Sequence, residues 1–163
     1  MFSVSHKKLI LEQLANKLEN DLSLLVDSAK ASHEAATHEE SRADNKYDTR
    51  GLEASYLAGA QALRANEIRK VMSLCRTLEV RSFSEDDPIA ISALIEVSGE
   101  TGRQHILLVP FAGGESVEIE GTKVQVVSSA SPLGSELMGR RSGDDFEFEM
   151  RGRKMDYSIG FVI

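Results

Sequence analysis

The residues best equipped for chemistry lie between His38 and Asp48, in the stretch HEESRADNKYD. Glu39, Glu40, Asp44 and Asp48 crowd together there with almost no apolar side chain between them. Carboxylates offer hard oxygen donors of the kind a small divalent cation prefers, or they form no more than a solvated acidic face. Arg42, Lys46 and Arg50 interleave with them, placed to pair with the carboxylates, to orient them, or to meet phosphates. Two other patterns invite a chemical reading and fail it. His33-Glu34-Ala35-Ala36-Thr37-His38 looks like a zinc H-E-x-x-H run with one residue too many, so on a helix the two imidazoles point about 140° apart and cannot share a metal. Gly113-Gly114 is too short to cradle a phosphate and has no Lys after it; it reads as a turn.

The acidic stretch needs elements to carry it. From Ser5 to Thr37 there is no Gly or Pro, and Leu11, Leu14, Leu18, Leu22, Leu25, Ala29, Ser32 and Ala36 recur in steps of three and four. This spacing predicts one long helix with Ser5 as its N-cap, about 50 Å long at about 1.5 Å per residue. A helix of that length needs a partner. Arg50 to Leu78 supplies one, with Leu57, Ala60, Leu63, Val71, Leu74 and Leu78 on one side and Ile68 and Cys75 close by. The short connection favours an antiparallel hairpin with the carboxylates at its tip; pairing across a homodimer is the alternative.

Beyond Phe83-Ser84-Glu85-Asp86-Asp87-Pro88 the period changes to two. Ile89, Ile91, Ala93, Ile95 and Val97 alternate with mostly polar neighbours, as do Phe146, Phe148 and Met150, and then Met155, Tyr157, Ile159, Phe161 and Ile163. These are half-buried strands. Arg103 to Pro110 and Lys123 to Ser128 bring the set to four to six, with the last two strands forming a hairpin across Arg151-Gly152. One short helix interrupts them: Ser131 caps it, Pro132 takes its first position, Leu133, Leu137 and Met138 give it an apolar face, and Gly139 ends it. One helix on a small antiparallel sheet makes an α+β domain. The expected organisation is a hairpin over residues 1–80, tip at about 38–48, followed by a sheet domain over 81–163.

Composition bounds the function. With 163 residues, 41% hydrophobic, the chain can fold. A net charge of -7 argues against nucleic acid held by bulk charge. One cysteine, Cys75, makes no internal disulfide, and Glu12 and Gln13 cut short the apolar run at Leu9 to Leu11. The expectation is a protein of the reducing cytoplasm with no membrane span.

The sheet domain carries a more specific pattern. Ser131-Pro132-Leu133-Gly134, then Leu137-Met138-Gly139-Arg140, then Gly143-Asp144-Asp145 opening a strand, resemble the C-terminal domain of the Gre family of bacterial transcript cleavage factors. Near the tip, Asn45-Lys46-Tyr47 and Glu53-Ala54-Ser55-Tyr56-Leu57-Ala58-Gly59 are similar to the same family's pattern, more weakly. Arg103 to Glu120 departs from it most. The resemblance implies a long antiparallel coiled-coil hairpin followed by an FKBP-like domain. It implies binding to RNA polymerase through Ser131, Pro132, Leu133 and Gly134, aided by Tyr47, with the hairpin inserted in the secondary channel.

Activity there is implied to be cleavage of backtracked RNA by the polymerase. Glu40 and Asp44, with Glu39 as a further candidate, would help hold the polymerase's own Mg²⁺ and a water in trans. The factor itself would be no enzyme, hold no cofactor, and work as a monomer, with Arg42, Lys46 and Arg50 near the nascent RNA. Aligned through Tyr47, however, this sequence has Glu40 where the family places its first tip Asp, and Ala43 where it places the following Glu. Two rival readings follow: a secondary-channel regulator without cleavage, and a prolyl isomerase of the FKBP fold. The isomerase lacks support because the chain has no Trp to floor a prolyl pocket.

Overall fold

Ser3 sets the start of the first helix. Its hydroxyl lies 2.7 Å from Nδ1 of His6, and its backbone N–H also points at that nitrogen, at 3.1 Å. The His6 ring thereby satisfies the Ser3 N–H, while the His6 N–H bonds back to Ser3 O at 3.0 Å. Helix α1 therefore runs Val4–Thr37 and α2 runs Arg50–Thr77. Ser5, the expected cap, lies inside the first turn. The computed structural model describes residues 2–37, 50–111, 113–150 and 152–163, so the whole 38–48 stretch lies outside the described residues.

The chain divides into two units, Ala15–Ser73 and Met1–Leu14 with Leu74–Ile163. In the first of these, Gln61 donates from Nε2 to Ser28 Oγ at 2.8 Å, joining α2 to α1 within one chain. Leu18 and Met72, each about ten residues nearer the outer helix ends, are buried too. The Ser28–Gln61 bond, each partner about ten residues from the helix ends that face each other along the chain, fits an antiparallel hairpin. The buried line on α2 is Ala65, Ile68, Met72 and, in the other unit, Cys75. It differs from the expected face: Leu63 is 70% exposed and Leu74 36%. Ala65 and Met72 carry the same three-and-four spacing as the leucines, so periodicity alone could not choose between two adjacent stripes.

The sheet unit has six strands: β1 Leu94–Gly99, β2 Gly102–Val109, β3 Ser116–Ile119, β4 Thr122–Ser128, β5 Asp145–Met150 and β6 Arg153–Val162, with helix α3 at Pro132–Leu137. Their order across the sheet is β3-β4-β2-β1-β6-β5. Neighbours are antiparallel at β1–β2, β1–β6, β3–β4 and β5–β6. β2 and β4 run parallel, which a purely antiparallel sheet does not allow. The cause lies in the connection: the chain leaves β2, turns back as the edge strand β3, and returns as β4 into the space between them. Glu120 and Gly121, with φ of 50° and 76°, make the tight reversal from β3 to β4.

β1 is shorter than its alternation suggests. Ala93 N–H bonds to Ala90 O at 3.0 Å, closing a turn, and Ser92 takes φ of 71°. Ser92 is fully buried; its hydroxyl accepts from Arg81 N–H at 3.0 Å and its own N–H bonds to Leu108 O at 2.8 Å. Ile89 and Ala93 are buried from this turn without belonging to the strand.

One face of the sheet buries Ile95, Val97, Ile106, Leu108, Tyr157 and Ile159 together with Leu137 of α3. On the other face, Leu94 sits opposite Leu107 and Glu96 opposite His105. The N-terminal end of the chain packs here. Phe2 packs its ring, tilted, against His105 at 5.1 Å and against Phe161 at 6.2 Å. A little farther along α1, Lys7 is fully buried, donating to Arg81 O at 2.7 Å with Nζ 4.7 Å from the centre of the Phe83 ring. Among the described residues no helix is long and apolar enough to cross a membrane.

Candidate partner-docking surface

Ser131 organises the turn that leads into α3. Its hydroxyl donates to Ser128 O at 2.7 Å and accepts from Gly134 N–H at 3.1 Å. It thereby closes the preceding turn and caps the helix with one atom. Pro132, at the first helical position, has no N–H to leave unpaired. Gly134 is required for a different reason: a Cβ there would lie 2.0 Å from Ser128 O. The helix can approach the 128–129 backbone only with glycine at this position.

Helix α3 ends at Leu137 and is followed by Gly139 with φ of 83°. Gly139 N–H bonds to Ile89 O at 2.8 Å, and Ile89 N–H bonds to Arg140 O at 2.7 Å. Arg140 then reaches the far edge of the sheet. Its guanidinium pairs with Glu136, donates to Asp145 O at 3.3 Å and lies over the Phe146 ring at 5.0 Å. Met138, expected on the apolar face, is 40% exposed: the chain turns out of the helix there.

Six residues of helix cover only about 9 Å of sheet. Leu137 plugs the core, Leu133 is half-buried, and beyond them the sheet face stays open. The opening is a groove of about 760 Å³. Val97, Ile106, Phe148 and Tyr157 floor it, Pro132 and Leu133 form one wall, and Lys123 and Glu149 stand on its rim. An apolar floor with a polar rim suits an apolar side chain presented by a protein partner.

Of the residues predicted to act, Ser131, Pro132, Leu133 and Gly134 come together as one rigid turn, and three of them line the groove. Glu39, Glu40, Arg42, Asp44, Lys46 and Tyr47 lie outside the described residues, as does His38; Arg50 opens α2. Sequence reasoning missed Phe148 and Tyr157 as groove residues. Their alternation marked them as strand residues facing inward, and nothing in it showed that α3 would stop short of them. Gly113-Gly114, expected to form a turn, instead runs alongside β4: Gly114 N–H bonds to Val126 O at 2.9 Å, and a Cβ on Gly113 would lie 2.6 Å from β4 backbone. Among the described residues no group of three or more His, Cys, Asp or Glu is placed to hold a metal.

No family model matches the sequence, and no curated protein does. Among solved structures, the chain is similar to the GreA factor homolog 1 protein of Thermus thermophilus, at 21% identity over 94% of each chain with a TM-score of 0.37. It is similar to Thermus aquaticus Gfh1 at 22% identity, over 93% of this chain and 92% of that one, with a TM-score of 0.38. The elongation factor GreA/GreB of Nitrosomonas europaea matches at 21% identity over 72% of this chain and 94% of its own, with a TM-score of 0.35.

Proposed function

We propose that this chain is a transcription elongation factor that binds RNA polymerase. In this reading the Ser131–Gly134 turn and the groove beside it dock on the polymerase, and the hairpin carries Glu40 and Asp44 into the secondary channel. There they would stimulate cleavage of backtracked RNA. The observation that supports the reading best is a coincidence of two independent features. Three residues of the Ser-Pro-Leu-Gly motif, Ser131, Pro132 and Leu133, line an open apolar groove, where a partner would touch them. The tip carboxylates are of the right class for Mg²⁺, which keeps several waters and takes one or two carboxylates; the ion would be the polymerase's. The chain supplies ligands in trans and needs no catalytic site of its own.

One residue favours a second reading. Ala43 stands where the Gre pattern has a carboxylate, so the factor would occupy the channel and regulate polymerase without stimulating cleavage.

Stalled, backtracked elongation complexes carrying end-labelled RNA decide between them. The wild-type chain, Glu40→Ala, Asp44→Ala and the double variant would each be added, with Leu133→Glu to block the groove wall. Shortened RNA with wild type, lost in the tip variants and in Leu133→Glu, is the expected result. Polymerase binding without shortening selects the regulator. No binding to polymerase at all refutes both.

A further inference from the structure

β5 ends the sheet, so one of its two rows of backbone groups has no strand beside it. Which residues own that row follows from the ladder. Ile159 N–H bonds to Asp144 O at 2.9 Å, and β5 pairs β6 with Phe146 opposite Tyr157 and Phe148 opposite Met155. Hydrogen-bonded pairs alternate along an antiparallel ladder. Phe146 and Phe148 therefore bond inward to β6, and Asp145, Glu147 and Glu149 point their N–H and C=O groups outward. Arg140, which donates to Asp145 O from outside the sheet, confirms the direction and takes that one acceptor. Glu147 and Glu149 hold the row that remains.

Side chains sort along the same strand. Asp145, Glu147 and Glu149 lie on one face, and across from them stand Ser158, Asp156 and Lys154, whose ammonium pairs with Glu147 at 2.6 Å and is the cation an added strand's lysine would displace or join. Asp145, Glu147 and Asp156 line a shallow hollow of about 660 Å³ floored in part by Ser98 and Ser158. On the opposite face Phe146 is buried and Phe148 is half-buried. A strand added here meets carboxylates at every second residue and aromatic rings between them.

We infer that the β5 edge is an interaction surface for an extended basic peptide segment, which adds antiparallel as a seventh strand with Lys or Arg opposite Glu147 and Glu149 and apolar residues opposite Phe146 and Phe148. Cross-strand pairs of opposite charge favour this register, and like charges oppose others. A second copy of β5 is excluded as occupant, because two-fold pairing places the acidic row against itself. Nucleic acid is excluded because its phosphates would face the same carboxylates. The inference stands apart from the polymerase reading, since it uses neither the tip nor the groove.

Backbone chemistry in the peptide tests it. A fluorescein-labelled peptide of alternating lysine and valine is titrated into the full chain by anisotropy, beside two versions N-methylated either on the lysines or on the valines. In the inferred register the N–H groups of the lysines face β5 and those of the valines face solvent. Methylation of the lysines removes about two backbone hydrogen bonds of about 1 kcal/mol each, and weakens binding by about tenfold or more. Methylation of the valines leaves it unchanged. Amide exchange at Glu147 and Glu149 slows at least about tenfold at saturation, and Glu147→Lys with Glu149→Lys switches preference to a glutamate and valine peptide. Equal binding by all three peptides means charge attraction alone and overturns the inference. So does unchanged exchange at the two amides, and so does failure of the lysine peptide to bind, which leaves the acidic row as protection against edge pairing.

Discussion

Lys7 carries a charge into the protein interior, and among the described residues no carboxylate forms an ion pair with it. Burial, with the positive charge of Arg81 second, lowers its pKa from 10.5 to about 8. The direction fixes the sign of the effect. At pH 7 the ammonium is present in both folded and unfolded chains, and the folded state bears the full cost of burying it. Between about pH 8 and 10.5 the unfolded chain holds the proton and the folded chain does not, so stability rises with pH across that window. A displacement of about 2.5 pH units corresponds to about 3 kcal/mol. This is an upper figure, because the Phe83 ring beneath Nζ returns about 1 kcal/mol as a cation–π contact.

Lys7→Met removes the charge and keeps much of the stem. It also leaves Arg81 O without its donor, at about 1 kcal/mol. The expected balance is a variant more stable than wild type by about 1 kcal/mol at pH 7 and less stable by a similar amount at pH 10.5. Urea unfolding of both proteins at half-unit steps from pH 6.5 to 10.5 measures the difference, so that other titrating groups cancel. A difference flat across the whole range would refute the assignment of the alkaline slope to Lys7. A wild type already the more stable at pH 7 would show that its hydrogen bond and ring contact outweigh burial.

Two further outcomes follow from packing. Gly134→Ala drives a methyl group to 2.0 Å from Ser128 O, and because the obstacle is backbone, the loss is about 3 kcal/mol in a denaturant midpoint series; a loss under about 0.5 kcal/mol would show the 128–134 turn to be pliant. The Cys75 thiol is buried, and burial raises its pKa to about 11, so alkylation by iodoacetamide at pH 8 should track unfolding of the chain in urea; rapid labelling of the native protein would contradict that burial.

The helices were legible because each depends on neighbours a few residues away: their bounds fall within a residue or two of the expected ones. Where the α2 seam lies is a different kind of fact. Leu63 and Ala65 both fit a helical stripe, and only the position of α1 decides between them. The same distinction runs through the sheet unit. Ser131, Pro132 and Gly139 announce α3 locally, and the strands announce themselves by alternation. The turn at Ser92 was hidden because Ile89, Ile91 and Ala93 keep the alternation of a strand while the hydrogen bonds to Arg81 and Leu108 bend the chain. The groove was illegible for a similar reason. It is bounded by residues from all six strands and α3, whose nearness is set by strand order.

That order also has a kinetic consequence. Three hairpins, β1–β2, β3–β4 and β5–β6, are local and can close within microseconds. β6, the last strand in chain order, nevertheless lies inside the sheet, between β1 and β5. Joining Ile95 to Val162 closes a loop of more than sixty residues, and within the sheet β5 is paired only through β6. Assembly should therefore wait on this one seam. Until it forms, Phe146 and Tyr157, stacked at 5.4 Å in the finished core, belong to a free hairpin. They are the pair whose burial reports that the sheet is complete.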